Sequence, residues 1–234
     1  KKRGRAGLRW GEAISAMAGE HRKRPFDVIH AFWADEAGSI AAASGRILGV
    51  PTVVSIAGGE LVGFRDIAYG GQLGPGTRIK IALALRFASA VTGGSRYVLE
   101  LARPRLGGRP TSSVHRLPLG VDARRFSPGR RILSGPTESR PRFVHAASLV
   151  PVKDQQTLLR AARRLLDEGV EFSLDLAGDG PLRRSLQASV TDLGLASSVR
   201  FLGALQHDEL PRFYAGATSF GLTSRHEAQC LPIL

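Results

Sequence analysis

From residue 143 onward, compact apolar runs alternate with stretches whose apolar positions recur every three or four residues. Phe143 to Leu149 is a short apolar run suited to a buried strand. Asp154 is placed to cap a helix that carries Leu158, Leu159, Ala162, Leu165 and Leu166 on one face and stops at Gly169. Phe172 to Ala177 predicts a second strand. Pro181 stands where a first helical residue fits, Leu182, Leu186, Val190 and Leu193 give the stripe, and Gly194 ends it. Val199 to Leu202 predicts a third strand. His207 and Asp208 precede a short helix bearing Leu210, Phe213 and Tyr214, with Asp208 the expected cap, and Ser219 to Thr223 predicts a fourth strand. The earlier half repeats the theme with less contrast. Its strands are predicted at 27–32, 52–56, 90–92 and 113–117, and its helices near 8–20, 39–48, 78–88 and 96–106.

Strand and helix in alternation, with short loops between, predict parallel sheets covered by helices through right-handed crossovers. Residues 127–141, SPGRRILSGPTESRP, are rich in Pro, Gly and Ser and read as a linker. The expected organisation is two α/β domains, 1–134 and 135–234, facing a cleft of the kind in which ligands sit. A chain of 234 residues is long enough for one large domain or two small ones with real cores.

Composition adds three constraints. Hydrophobic residues at 43% and charged residues at 23% exclude a disordered or fibrous chain. The single cysteine, Cys230, excludes an internal disulfide and points to a reducing compartment, hence the cytoplasm. No run is long and apolar enough to cross a membrane as a helix. Lys+Arg 33 against Asp+Glu 20 gives a net charge of +13. Such an excess suits a polyanionic partner, whether nucleic acid, an acidic membrane face or a phosphate-bearing substrate. Only five of these cations are lysine, and the arginines are scattered, which equally fits a general bias toward arginine. The chain starts at Lys1, carries its only methionine at Met17 and stops in the apolar Leu231-Pro232-Ile233-Leu234, so it reads as an interior piece of a longer protein.

In an open parallel sheet, ligands gather beyond the carboxyl ends of the strands. Applied to the second half, that rule selects Ser148 and Lys153 after the first strand and Gly178-Asp179-Gly180-Pro181 after the second. It selects Gly203 after the third strand and Ser224-Arg225-His226-Glu227 after the fourth. Loops of this kind need glycines and caps in any case, so the glycine pair alone is weak. Lys153 lies at a loop entering a helix, where free N–H groups and an ammonium together favour a phosphate. Glu227 could accept hydrogen bonds from adjacent hydroxyls such as those of a sugar, or serve as a first-turn acid of a helix. His30, His115, His145, His207 and His226 lack metal-ligand spacing. Phe32 and Trp33 read as core or cleft wall.

Taken together and in order, these segments resemble the retaining glycosyltransferases of family 4. Phe143 to Lys153 resembles "GRLxxxK", Leu176 to Leu182 that family's glycine turn, and Val199 to Tyr214 its "VxFLG…EEL…YY" stretch. Ser224 to Pro232 is similar to "SRxEGFGLP", whose glutamate opens a Glu-x7-Glu pair. Leu117 to Pro128 is similar to "IPNGVD…RFSP", and Asp27 to Trp33 to "DVIHAHW". The resemblance runs from residue 27 to the end and implies a GT-B fold of two Rossmann-like domains, both incomplete in this chain. It implies transfer of a sugar from a nucleotide-diphosphate donor to a glycan, lipid or small-molecule acceptor, with retained configuration and with neither cofactor nor metal. Mapped onto this sequence, Lys153 would meet the diphosphate and Glu227 the donor sugar hydroxyls, these two carrying catalysis. Ser148, Gly178, Gly180, Phe201, Leu202, Arg225 and Leu231 would complete the donor site, and Gly58, Gly59 and Glu60 would lie on the acceptor side.

The sequence departs from that family at several points. Ser148 replaces a phosphate-binding arginine, Ala57 replaces a first-domain histidine, and Ala228 and Cys230 replace two glycines. The partner of Glu227 in the Glu-x7-Glu pair would be residue 235, so the 1–234 chain by itself is expected to be inactive. A nucleotide-sugar epimerase of GT-B type would share the donor site, and a basic nucleic-acid-binding module would use the charge. The latter lacks interleaved aromatics, so no specific nucleic acid is expected. A basic first-domain face docking peripherally on anionic lipid at the inner face of the membrane is compatible with transfer.

Overall fold

The computed structural model describes residues 3–108, 113–127 and 140–230. They form two compact units, one running up to Leu119 and including Glu227–Cys230, the other running from Gly120 to His226. The division thus falls at Leu119/Gly120, upstream of the boundary at 134/135 expected from composition. Residues 128–139, the greater part of the expected linker, lie outside the described residues.

The first unit runs α1 (Arg3–Lys23), β1 (Ile29–Phe32), α2 (Glu36–Leu48), β2 (Thr52–Ile56), α3 (Pro75–Phe87), β3 (Ala90–Gly93), α4 (Arg96–Ala102) and β4 (Val114–Arg116). Its strands pair in chain order, β1-β2-β3-β4, all parallel. Val54, Ile56 and Val91 of the sheet meet Ile81, Ala84 and Leu85 of α3 and Val98 and Ala102 of α4 in the core. Local chemistry sets the helix ends. Asp35 accepts from the Ala37 N–H at the start of α2, and Ser95 from the Val98 N–H at the start of α4.

The second unit runs β5 (Arg142–Ala146), α5 (Gln155–Asp167), β6 (Ser173–Ala177), α6 (Arg183–Asp192), β7 (Val199–Gly203), α7 (Leu210–Ala215) and β8 (Ser219–Phe220). Its strand order is β7-β6-β5-β8, again parallel throughout. Leu149, Leu159, Phe172, Leu174, Leu176, Leu186, Leu195 and Val199 fill its main core. Asp154 caps α5 as expected, with Oδ1 accepting from the Thr157 N–H at 3.4 Å and Oδ2 from the Thr157 hydroxyl at 2.7 Å. Two other expected starts differ. The Leu182 N–H is taken by the Leu149 carbonyl at 3.1 Å, so α6 begins after Pro181, at Arg183. Asp208 is drawn into an ion pair with Arg125, and Glu209 stands at the start of α7 in its place.

Asp175 lies at the centre of the second sheet, 1% exposed, between two guanidinium groups. Its Oδ1 accepts from Arg200 Nε at 2.7 Å and its Oδ2 from Arg142 Nε at 2.8 Å. Arg142 also lies over the Phe213 ring, 5.4 Å from its centroid. Hydrogen bonding to Asp175, and then its charge, hold Arg200 above its ordinary pKa. A charge buried this deeply persists only because it is paired and its lone pairs are occupied.

Candidate active site

The four loops at the carboxyl edge of the second sheet are joined by backbone hydrogen bonds. The Ala147 N–H donates to the Ala177 carbonyl (3.0 Å), Leu149 N–H to Asp179 (2.9 Å) and Gly178 N–H to Gly203 (2.7 Å). The Arg225 N–H donates to the Val152 carbonyl at 2.8 Å, and the Thr223 hydroxyl reaches the Asp154 carbonyl at 2.9 Å. Ser148, Lys153, Gly178, Gly180 and Arg225, selected from different strand ends of the sequence, therefore stand on one continuous rim. Gly178 is needed there for two reasons. Its φ is +130°, and a β-carbon on it would overlap the Ala147 carbonyl oxygen. A β-carbon on Gly180 would come within 2.5 Å of the Leu149 carbonyl oxygen.

Phe201 and Leu202 part company on β7. Phe201 packs against the main core, whereas the pairing of β6 with β7 slips between Leu176 and Ala177, leaving Leu202 as the extra residue of a bulge and 41% exposed. Leu231 lies outside the described residues.

Two polar side chains beneath this rim gave no sequence signal. His145, fully buried, places Nδ1 2.8 Å from the Gly221 carbonyl, and Gln155 Nε2 lies 3.3 Å from its Nε2. Gln155 also donates to the Ser148 carbonyl at 3.0 Å. These partners assign the imidazole proton to Nδ1 and leave Nε2 as acceptor. The pair thus ties β5 and the start of α5 to the backbone of Ser148. His145 is hidden inside an apolar run, where it looks like an interruption of the pattern, and Gln155 stands among polar residues at the start of α5, where nothing marks it.

Glu227 was expected on this same rim, as part of the second domain. The structure instead groups Glu227–Cys230 with the first unit. The cause is local. Gln229 accepts from the Leu119 N–H at 2.8 Å and donates to the Leu119 carbonyl at 3.1 Å, while Ala228 packs against the first unit's core.

In the first unit the corresponding edge is organised by Glu60, which is 3% exposed. Its Oε1 accepts from the Ala57 N–H at 3.0 Å and the Ala34 N–H at 3.2 Å, clipping together the chain just after β1 and just after β2. Its Oε2 is buried and has no hydrogen-bond partner among the described residues. Gly58 has φ +104° and starts the short turn Gly59–Leu61. Residues 62–72 fold back over this turn, with Phe64 and Tyr69 paired across an antiparallel bridge and Gln72 Nε2 donating to the Glu60 carbonyl at 2.8 Å. Tyr69 is thereby brought against Gly59. Burial, then the charge of Glu227, then that of Glu60, push its phenol above the ordinary value. Phe32 and Trp33, expected in a core or a cleft wall, are 59% and 50% exposed at the end of β1. Trp33 takes φ +75°, an uncommon conformation for so large a side chain. Among the described residues there is no group of three or more His, Cys, Asp or Glu side chains that could hold a metal ion.

The two parallel sheets, each with its loops gathered at one edge, define a two-domain α/β protein of the GT-B kind. HepE of Anabaena, solved in complex with UDP-glucose, superposes with a TM-score of 0.69 at 20% identity, over 92% of this chain and 57% of that one. Residues 133–234 match the family model for glycosyl transferases group 1. The chain is 34% identical over 143 residues to a GDP-mannose-dependent alpha-(1-6)-phosphatidylinositol monomannoside mannosyltransferase of Mycolicibacterium smegmatis, covering 59% of this chain and 37% of that protein. It is 27% identical over 235 residues to a GDP-mannose-dependent monoacylated alpha-(1-6)-phosphatidylinositol monomannoside mannosyltransferase of Corynebacterium glutamicum, covering 93% of this chain and 58% of that protein. The chain therefore spans between about a third and three fifths of these two relatives.

Proposed function

We propose that the protein carrying this chain is a glycosyltransferase that moves a sugar from a nucleotide-diphosphate donor to a hydroxyl-bearing acceptor, with retention of configuration. The observation that carries the reading is the hydrogen-bonded rim of the second sheet, which holds Ser148, Lys153, Gly178, Gly180 and Arg225 on three loops at once. Departure of a nucleoside diphosphate builds negative charge, and donors fixed in advance stabilise it without reorganising. Lys153 would supply a point charge for the diphosphate and Arg225 a second cation, and loop N–H groups would take further oxygens. Glu227 would accept from donor sugar hydroxyls. Glu60, Gly58 and Gly59 would line the acceptor side. Relatives that use GDP-mannose and a structural neighbour that binds UDP-glucose support a nucleotide-sugar donor. The named relatives act on phosphatidylinositol mannosides, and with the basic charge of this chain that favours a lipid-linked acceptor reached from the cytoplasmic side.

The test is a thermal-shift panel of GDP, UDP, ADP and their sugars on the full-length protein, repeated with K153M. A shift with one nucleotide family, lost in K153M, is the expected result; no shift with any of them refutes the reading. Proton NMR of the first product formed decides retention, and full activity in EDTA decides independence from metal. Co-flotation with phosphatidylinositol vesicles but not with phosphatidylcholine vesicles checks the lipid surface.

A further inference from the structure

Just after β2 the Ala57 N–H is committed to Glu60 Oε1. The loop that follows brings a side-chain hydroxyl to this edge from a distance. Phe64 and Tyr69 exchange backbone hydrogen bonds at 2.8 and 3.0 Å, and their rings stack with centroids 6.3 Å apart. Gly70 (φ +110°) turns the chain back, and a side chain there would collide with the Val62 carbonyl. The result is a rigid hairpin that presents the Tyr69 hydroxyl over the backbone of Gly59. A β-carbon on Gly59 would lie 2.6 Å from that oxygen, so the space is kept open by the absence of a side chain.

We infer that the Tyr69 hydroxyl is a substrate-positioning hydrogen-bond donor on the acceptor side, acting beside Glu227. This rests on the transferase reading. Glu227 lies close enough to the phenol to raise its pKa, and Glu60, with one buried oxygen unpartnered, adds a second negative charge. Both keep the phenol protonated, and a protonated phenol donates. A sugar or acceptor hydroxyl needs one donor and one acceptor to be held in a single orientation. Tyr69 supplies the donor and Glu227 the acceptor. Carboxylates alone could accept from that hydroxyl but could not donate to its oxygen.

The experiment compares the full-length protein with Y69F, G59A and the double variant, measuring nucleotide-diphosphate binding and sugar transfer. Y69F keeps the ring and its stacking. It should lower kcat/KM for transfer by about 2- to 12-fold, the worth of one neutral hydrogen bond, while nucleotide affinity stays unchanged. G59A pushes the hydroxyl out of place, so it should impair transfer in the parent and have almost no further effect in Y69F. A purely structural role would give additive losses instead. Parent-like turnover in Y69F, or additive losses in the double variant, overturns the assignment of Tyr69 alone. Failure of the unsubstituted protein to bind any nucleotide diphosphate overturns the transferase reading and the assignment with it.

Discussion

Gly178 offers a sharp test of how the rim is built. In G178A the new methyl group would overlap the Ala147 carbonyl oxygen and sit 2.8 Å from its carbon, with the Ser148 nitrogen at 3.5 Å. All three are backbone atoms, so no rotamer change relieves the clash, and the chain must also hold φ near +130° with a side chain attached. An excluded backbone conformation costs about 1–3 kcal/mol and overpacking that the backbone must absorb about 1–3 more, giving roughly 2–6 kcal/mol. Gly169 supplies the control. Its φ is +76°, yet a β-carbon there meets nothing within 4 Å, so G169A should cost only about 1–2 kcal/mol for the left-handed conformation. At about 4–8 °C per kcal/mol for a domain of this size, G178A should lower the unfolding temperature of the second unit by at least roughly 8 °C. Urea titration of the full-length protein gives the free energies. Nucleotide binding by the folded fraction then reports whether spreading the Ala147–Leu149 and Gly178–Gly180 loops disturbs the proposed phosphate site. If G178A proves no more destabilising than G169A, the close approach of the two loops is not what requires glycine, and the account of the rim fails.

Three further outcomes follow from the same geometry. Replacing Asp175 by Asn removes the charge that two guanidiniums share. Breaking a buried pair costs about 3–5 kcal/mol, discounted here to about 2–4 because Arg200 is largely exposed and can turn to water, as urea titration of D175N would show. Asp154 both caps α5 and holds φ +45°, so D154A should cost about 1–3 kcal/mol and D154G, which suits that backbone, distinctly less; the reverse order would contradict the capping geometry. Because the Tyr69 phenol is held above its ordinary value, the unfolded chain releases that proton first as pH rises. Stability from this group is intact below about pH 10 and is lost above it, so Y69F should resist alkaline denaturation better than the parent.

Where periodicity and local turn chemistry act alone, the sequence was sufficient. Thr52–Ile56 is a strand with the expected bounds, and Gly169 and Gly194, expected as helix stops, both take left-handed conformations just after α5 and α6. Expectations gave way where a distant partner competed. Asp208 is a good cap by type, but Arg125 claims its carboxylate from 83 positions away. Pro181 suits a first helical residue, but its turn is spent docking Leu182 onto the β5 loop. The rim glycines and Lys153 could be chosen from the sequence because strand ends in a parallel sheet converge by topology. Tyr69 could not, because it sits in a loop without periodicity and matters only once Gly59 and Glu227 are beside it. The allegiance of Glu227–Cys230 was hidden for a related reason. Continuity of the chain suggested the second domain, and the fit of the Gln229 amide to the Leu119 backbone, with Ala228 packed on the first unit's core, reverses it.

The arginine excess takes on a different meaning once these partners are known. Arg140 Nε donates to the Phe172 carbonyl at 2.9 Å, and Arg163 NH1 to the Leu193 carbonyl at 3.2 Å, the residue that closes α6. Arg105 donates to Leu101 at 2.8 Å and to the Gln72 amide at 3.0 Å, bracing the hairpin that carries Tyr69. Arg142 divides its donors between Asp175 and the Phe213 carbonyl. A guanidinium has five donors in a planar fork, so one side chain can join a carbonyl to a second partner where an ammonium could not keep the same geometry. Part of the charge therefore comes with joints between elements rather than with a surface laid out for a polyanion. A nucleic acid binding at those positions would have to displace hydrogen bonds that the fold already uses.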